Sequence, residues 1–288
     1  MSIAYAEMTE RNAGFLTERD QRVLRASSVF VCGVGGMGGA AAHVLARAGV
    51  GRLTLADPDC FEASNLNRQT FAFVDTLGVP KTEATRDALL RINPEMRVEA
   101  LGAEWVGRLD QILPRHRVVV NGMDDVRAGI QLYRGAREHG ATVVDAYTSP
   151  HPSVTLVRPD DPRPEERLGF PTIGVPAEEL TDEQLRAAFL IEVGYASRVS
   201  SGISRLVPDV VGEILAGRRP RSSFAPIVIL AGSLMAFEAI GCLLGWESGA
   251  GCEGYFVDPW SGRIERPPAG VARAGASAAH AAAWGGGA

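Results

Sequence analysis

Short apolar runs alternate with amphipathic stretches along the first half of the chain, and this alternation predicts the fold. Most of the runs are four or five residues long and rich in Val and Leu, which is typical of strands buried in a parallel sheet. The stretches at 38–48, 81–92 and 126–139 have helical spacing, and Thr17 can cap a further helix at 15–27. We therefore predict an α/β fold with a doubly wound, mostly parallel, Rossmann-like sheet and right-handed crossovers. The predicted strands are Ser28–Cys32, Arg52–Ala56, Arg97–Leu101, Val118–Asn121 and Thr142–Asp145.

The second half of the chain is less regular. Residues 159–181 are rich in Pro and in charge, which predicts an inserted crossover loop that lies on the surface and is mobile. Regular structure resumes afterwards, with a long helix at 227–246 and a strand and turn at 254–263. The last residues are mostly Ala and Gly, a composition typical of disorder. We predict one domain over residues 1–265 and a disordered tail at 266–288.

The apolar stretch at 227–246 is long enough to cross a bilayer. However, Glu238 lies near its middle, and a charge at the centre of a membrane is expensive. We therefore predict a buried or interface helix and no membrane association. The first residues lack the basic and apolar regions of a signal peptide, so we expect a cytoplasmic protein.

Composition narrows the class of protein further. The formal net charge of -5 argues against a nucleic-acid partner that is bound by bulk electrostatics. The four cysteines are scattered and form no CxxC pair, so we expect neither structural zinc nor a disulfide framework. This usage of cysteine is typical of a reducing compartment. The cysteines are Cys32, Cys60, Cys242 and Cys252.

A glycine-rich turn, GVGGMGG, directly follows the first predicted strand. Glycines allow backbone amides to approach a phosphate closely, and the start of the following helix favours anions, so Gly35 and Gly36 are candidate phosphate-binding positions. Asp57 ends the next strand, where a carboxylate can bind ribose hydroxyls. These features predict a nucleotide site but fit a nicotinamide-dependent enzyme as well as an ATP-dependent one.

The segment SNLNRQ at 64–69 favours ATP, because a nicotinamide site has no use for it. Asn65 can hold ribose or phosphate oxygens, and the planar guanidinium of Arg68 suits phosphate oxygens. Lys81 begins a predicted helix, where a cation opposes the helix dipole, and this mismatch suggests an anionic partner. Taken singly, an arginine such as Arg68 is more often an ordinary surface residue, and for Lys81 the alternative is a solvated lysine at the start of a helix.

Two adjacent acids, Asp124 and Asp125, follow the buried strand VVVN. Mg²⁺ is commonly held by one carboxylate together with substrate phosphates, and Asp124 at the strand tip is the better candidate ligand. The alternative is a pair of N-cap residues for the next helix, and Asp125 fits that role well.

Together, the motifs GVGGMGG, ADPDCFEASNLNRQ, GVPK, RINP and NGMDD resemble those of the E1-like adenylyltransferase superfamily, the ThiF/MoeB/HesA group. The resemblance runs from about residue 11 to residue 156 and resumes at 227–244. It implies the Rossmann-like adenylation fold, ATP and Mg²⁺ as cofactors, and a homodimer.

The resemblance also implies roles for single residues. Gly36 would face the ATP phosphates, and Asp57 would bind the ribose. Arg68 and Lys81 would contact the phosphate under attack, and Asp124 would bind Mg²⁺. The further residues implied are Ser64 and Asn65 in the nucleotide site, Asp125 beside the metal, and Arg11, which would reach into the ATP site of the neighbouring subunit.

The chain also departs from many members of this superfamily. It lacks their two zinc-binding CxxC pairs, and no cysteine lies between Cys60 and Cys242 to form a thioester or persulfide. We therefore expect an enzyme that stops at the acyl-adenylate or passes the acyl group to an external nucleophile.

The resemblance predicts an ATP-dependent adenylyltransferase that activates a carboxylate as acyl-AMP and releases pyrophosphate. The carboxylate would be the C-terminus of a ubiquitin-like or sulfur-carrier protein, or that of a peptide. The alternatives are an E1-like enzyme that modifies a peptide or small metabolite in a natural-product pathway, an NAD-dependent oxidoreductase, and a non-catalytic partner subunit.

Overall fold

The computed structural model describes residues 4–147 and 149–267. Its centre is one eight-stranded sheet with the strand order β3-β2-β1-β4-β5-β6-β7-β8. The first five strands are parallel, and β6, β7 and β8 continue the sheet in antiparallel pairs. The strands are β1 (Ser28–Cys32), β2 (Arg52–Ala56), β3 (Arg97–Leu101), β4 (Val118–Asn121), β5 (Thr142–Asp145), β6 (Ser153–Val157), β7 (Tyr255–Asp258) and β8 (Arg263–Glu265).

Helices cover both faces of the sheet, which confirms the doubly wound prediction. On one face, α3 and α10 pack over β1 and β4 around Leu45 and Met235. On the other face, α6 packs with Trp105 and Leu132 against Phe30. The α-helices are α1 (Tyr5–Thr9), α2 (Glu18–Ala26), α3 (Gly36–Ala48), α4 (Lys81–Ile92), α5 (Leu109–Ile112), α6 (Val126–Glu138), α7 (Pro164–Leu168), α8 (Asp182–Val199), α9 (Pro208–Leu215) and α10 (Ala225–Leu244). Short 3₁₀ helices include Glu10–Asn12 and Ala63–Asn65.

Local chemistry explains where the predicted helices begin and end. The Thr17 hydroxyl accepts a hydrogen bond from the Asp20 backbone N–H, and the Asp20 carboxylate accepts one from the Thr17 N–H, which together form a capping box. Helix α3 ends at Gly49, whose φ of 92° is the left-handed conformation that favours glycine.

Helix α10 has one buried face and one exposed face. By length and composition it could cross a membrane, but it packs closely against α3. A Cβ at Gly232 would lie 2.4 Å from the Met37 carbonyl oxygen, so glycine permits this close crossing. Glu238 is buried and accepts a hydrogen bond from the Ser248 hydroxyl. The prediction of a buried or interface helix agrees with this packing.

The crossover differs from its prediction. Residues 159–181 were expected to be an irregular, mobile surface loop, but they contain α7 and are anchored to α6. The Arg134 guanidinium pairs with Glu165 at 2.8 Å, and Arg137 pairs with Glu166 at 2.9 Å. Local composition does not reveal ion pairs between two segments that are distant in sequence, so this order could not be predicted. Helix α8 was not predicted either.

The domain boundary stays a prediction. Strand β8 ends at Glu265 within the same sheet as β1, in agreement with one domain over residues 1–265. The predicted disordered tail at 266–288 lies outside the described residues from 268 onward.

Candidate active site

Three glycines hold the two turns at the carboxyl ends of β1 and β4 against each other. Gly33 has a φ of 78° and donates its N–H to the Ala56 carbonyl at 2.7 Å. A Cβ at Gly38 would lie 1.8 Å from the Gly33 oxygen, and one at Gly122 would lie 2.5 Å from it. Because these positions lack side chains, the two turns can pack closely together. The backbone N–H groups at the start of α3 then stay accessible, as phosphate binding requires.

Asp57 and Lys81 lie close together beside this turn, and the predicted nucleotide site to which both were assigned stays a prediction. The Asp57 carboxylate accepts hydrogen bonds from the backbone N–H groups of Val34 at 2.9 Å and Asp59 at 3.0 Å. The Lys81 Nζ lies 2.8 Å from Asp59 Oδ2 and 3.9 Å from Asp57 Oδ1. Burial raises the pKa of Asp57, while Lys81 opposes that rise. The anionic partner expected for Lys81 is thus present in the protein itself, mainly as Asp59.

Part of the SNLNRQ segment lines the cavity. Asn65 and Arg68 line it, whereas Ser64 is exposed and is not among the lining residues. The Arg68 guanidinium donates to the Ser64 carbonyl and to Asn67 Oδ1, both at 2.9 Å. These two bonds orient Arg68 and leave it able to donate further.

The two acids after β4 have different partners. Asp125 caps α6, because its Oδ1 accepts from the Ala128 N–H at 2.9 Å. Asp124 is 86% exposed, and its Oδ2 lies 2.8 Å from the Arg221 guanidinium. Within the described ranges, no cluster of three or more His, Cys, Asp or Glu side chains could hold a metal. A metal at Asp124 would therefore need ligands from phosphate and water.

Arg11 does not reach this site within its own chain. It lies on the 3₁₀ helix Glu10–Asn12, is exposed, and is not among the residues that line the cavity. A role for Arg11 in catalysis would require a second copy of the chain.

The cavity extends well beyond the nucleotide residues, and sequence reasoning missed this part. The cavity has a volume of 1330 Å³. The inner chamber is our name for the part of the cavity that is lined by Tyr133, Asp145, Tyr147, Arg167 and Phe170. Asp145 could have been predicted as a site residue, because it is the last residue of a strand. Asp57, which was predicted, directly follows one. Arg167 had no such signal, since it lies in the crossover.

Three of the four cysteines have thiols that burial makes less reactive. Burial raises the pKa of the Cys32, Cys242 and Cys252 thiols, which disfavours the reactive thiolate. Cys60 is exposed, and its backbone pairs with Pro80 in an isolated bridge.

Comparison with known proteins places the chain in a family. A model of the ThiF family matches residues 9–274. The chain belongs to the ThiF family. This match confirms the predicted E1-like resemblance, and it gives no support to the nicotinamide-dependent alternative.

Individual relatives match over shorter lengths. A molybdopterin-synthase adenylyltransferase of Escherichia coli (strain K12) is 42% identical over 116 residues, which are 40% of this chain and 47% of that protein. A tRNA threonylcarbamoyladenosine dehydratase of Bacillus subtilis (strain 168) is 43% identical over 91 residues, 32% of this chain and 36% of that protein. The match thus spans about half or less of the length of these curated relatives.

The solved structure of E. coli MccB with ATP is similar in fold. Its TM-score is 0.62 at 19% identity, and the match covers 86% of this chain and 65% of that chain. At this identity the likeness establishes the fold alone, which confirms the predicted Rossmann-like adenylation architecture.

Proposed function

We propose that this ThiF-family chain is an ATP-dependent adenylyltransferase that activates a carboxylate as acyl-AMP. The observation that carries the proposal is the convergence of the glycine turn, Asp57, Lys81 and Asp124 on one cavity. These residues come from four separate parts of the chain, and each offers a group that one part of ATP requires.

In the proposed reaction a carboxylate oxygen of the substrate attacks the α-phosphorus of ATP. The bond from that phosphorus to the bridging oxygen breaks, and pyrophosphate leaves with the electron pair. The start of α3 would hold phosphate oxygens, and Asp57 would orient the ribose. Arg68 and Lys81 would stabilise the charge that develops at the α-phosphorus.

Asp124 suits Mg²⁺, which proteins often hold by one or two carboxylates together with phosphate oxygens and water. Bound there, Mg²⁺ would neutralise charge on the phosphates. The Arg221 guanidinium pairs with Oδ2 of the same carboxylate, so it would repel Mg²⁺ bound there. Asp125 would support the site indirectly by capping α6.

A homodimer would complete this site. The exposed position of Arg11 away from its own cavity fits a residue that acts in the neighbouring subunit. The exposed face of α10 carries Ile229, Leu230 and Phe237, an apolar surface suited to a subunit contact.

Two classes of carboxylate substrate fit the proposal. One is the C-terminus of a ubiquitin-like or sulfur-carrier protein, as expected from the superfamily. The other is a peptide or small metabolite of a biosynthetic pathway. The second class is favoured by the inner chamber, because a carrier tail that only meets ATP needs no additional charged pocket.

The first test is nucleotide binding, measured by calorimetry with ATP and Mg²⁺ and separately with NAD. We expect ATP to bind and NAD to bind more weakly. Tighter binding of NAD would refute the proposal and favour the oxidoreductase alternative.

The second test is ATP–pyrophosphate exchange with two sets of substrates, synthetic peptides that end in Gly-Gly and small carboxylic acids. We expect Asp124→Asn to lower the exchange rate by about 10²–10³, as loss of a charge-stabilising group usually does. Asp160→Asn is the control, because Asp160 is exposed on the crossover and should exchange like wild type. Equal rates for Asp124→Asn and wild type would contradict the assignment.

A further inference from the structure

The inner chamber is lined by two charged side chains of opposite sign, and the Glu192 carboxylate, which lines the same cavity, is close enough to raise the pKa values of Tyr133 and Tyr147. Asp145 ends β5, and Arg167 lies on α7. Both line the same cavity. Neither belongs to the set of residues proposed to bind ATP, so the proposed adenylation leaves both unexplained.

Asp145 is held as a hydrogen-bond acceptor. Its Oδ2 accepts from the Tyr133 hydroxyl and the Asn121 amide, both at 2.7 Å, and its Oδ1 accepts from the Ala146 N–H at 2.6 Å. No Lys, Arg or His in the described part of the chain forms an ion pair with it. Burial raises its pKa to about 6, so it can take up a proton near neutral pH.

Arg167 is a buried cation that forms no ion pair with any acidic side chain among residues 4–147 and 149–267. It is 8% exposed, donates from Nη2 to the Tyr147 hydroxyl at 2.6 Å, and lies over the Tyr195 ring at 5.2 Å. Its Nε and Nη1 atoms make no hydrogen bond. By contrast, Arg134 and Arg163 nearby both pair with Glu165 or Glu166 in the described structure.

A buried charge without a counter-ion is costly; Arg167 is buried and Asp145 is half-buried. Two such charges of opposite sign in one cavity suit a ligand that carries both complementary charges. Asp145 lies beside the nucleotide residues, because it accepts a hydrogen bond from Asn121, which directly precedes the turn at Gly122. A ligand whose amino group pairs with Asp145 would therefore hold that group close to the nucleotide site.

We propose that the inner chamber binds a free amino acid, with its amino group at Asp145 and its carboxylate at Arg167, and that this amine captures the acyl-adenylate. The capture step rests on the proposed adenylation, whereas the binding step does not. The rings of Tyr147 and Phe170 offer an apolar wall for the amino-acid side chain.

The chemistry of the capture step balances without another reagent. The Asp145 carboxylate takes one proton from the ammonium group, and the free amine attacks the acyl carbonyl carbon. A carbon–nitrogen bond forms, the carbon–oxygen bond to the phosphate breaks, and AMP leaves with the electron pair. The second amine proton goes to solvent, and the products are an amide and AMP.

Binding is tested first, without ATP, by saturation-transfer NMR with each of the proteinogenic amino acids. The amino acid that binds is then compared with its decarboxylated amine and its deaminated acid; for L-phenylalanine these are 2-phenylethylamine and 3-phenylpropionate. We expect each analogue to bind at least about tenfold more weakly, because one charged group then stays unpaired. Failure of every amino acid to bind, or equal binding of the analogues, would overturn the inference.

Variants assign the two ends of the chamber. Arg167→Met should abolish the preference for the amino acid over the decarboxylated amine. Asp145→Asn should abolish the preference for the amino acid over the deaminated acid. Arg167→Lys keeps the charge and should retain part of the preference, which tests the assignment if Arg167→Met does not fold. Arg158→Met and Asp160→Asn are matched controls at exposed positions and should bind like wild type. Unchanged preferences in the chamber variants would also overturn the inference.

Pyrophosphate exchange by the wild type separates the two proposals. If the amino acid binds with the expected preferences and no carboxylate supports exchange, the proposed adenylation fails while the binding site stands. If exchange occurs and the bound amino acid is never found in an amide product by mass spectrometry, the capture step is refuted alone.

Discussion

Replacement of Asp145 by Asn should change the pH dependence of stability. The free energy of unfolding of the variant, relative to that of wild type, should be higher at neutral pH than at acidic pH. Burial raises the pKa of Asp145 from 3.8 to about 6 in the folded chain. The folded protein therefore binds this proton more tightly than the unfolded chain does, and wild type loses stability as the pH rises between these two values. A difference of about two pKa units corresponds to about 3 kcal/mol. An Asn side chain carries no charge at any pH and avoids this loss.

The measurement is urea unfolding of wild type and Asp145→Asn at a series of pH values from about 4 to about 8. The free energy of unfolding of the variant minus that of wild type should rise by up to about 3 kcal/mol over this range. Other titrating groups near the site, such as Glu192 and Tyr147, are present in both proteins, so their effects largely cancel. Asp160→Asn should give a flat difference, because that side chain is exposed. A flat difference for Asp145→Asn, within about 0.5 kcal/mol, would refute the argument.

Three further changes test other parts of the structure. Gly38→Ala would place a Cβ 1.8 Å from a backbone oxygen. It should therefore lower the free energy of unfolding in urea by about 1–3 kcal/mol and weaken ATP binding in calorimetry. Gly107→Ala is the control, because a Cβ there has open space, and it should behave like wild type. Arg221→Met removes the guanidinium that pairs with Asp124, so pyrophosphate exchange should reach half its maximal rate at a lower Mg²⁺ concentration; an unchanged Mg²⁺ dependence would argue against competition. Phe237→Glu puts a charge on the exposed face of α10 and should convert a dimer to a monomer in analytical ultracentrifugation; a wild type that sediments as a monomer would contradict the proposed homodimer.

The sequence was sufficient to predict the parallel half of the sheet. Strands such as β1 and β4 are buried on both faces, so they read as continuous apolar runs with turn residues at their ends. The structure of the crossover was harder to predict from the sequence. It is held in place by ion pairs such as Arg134 with Glu165, whose partners are far apart in sequence. Local composition there is polar and rich in Pro, and it does not reveal that α7 packs against α6.

The residues of the candidate site likewise include some that the sequence predicts and some that it does not. Asp57 and Lys81 were predictable because motif spacing and the strand-end rule place them at one edge of the sheet. Lys81 was expected to need an anionic ligand, but Asp59 already serves that charge. Arg167 escaped prediction, since nothing in its neighbours along the chain distinguishes a buried, unpaired guanidinium from an exposed one.

The contact between Arg221 and Asp124 couples the segment between α9 and α10 to the proposed metal site in a reciprocal way. A guanidinium and Mg²⁺ on one carboxylate repel each other, so each partner weakens the other's hold by the same factor. On the proposed assignment, the arrival of ATP with Mg²⁺ would loosen the segment between α9 and α10, and release of products would restore it. The position of that segment would then report which stage of the cycle the enzyme has reached.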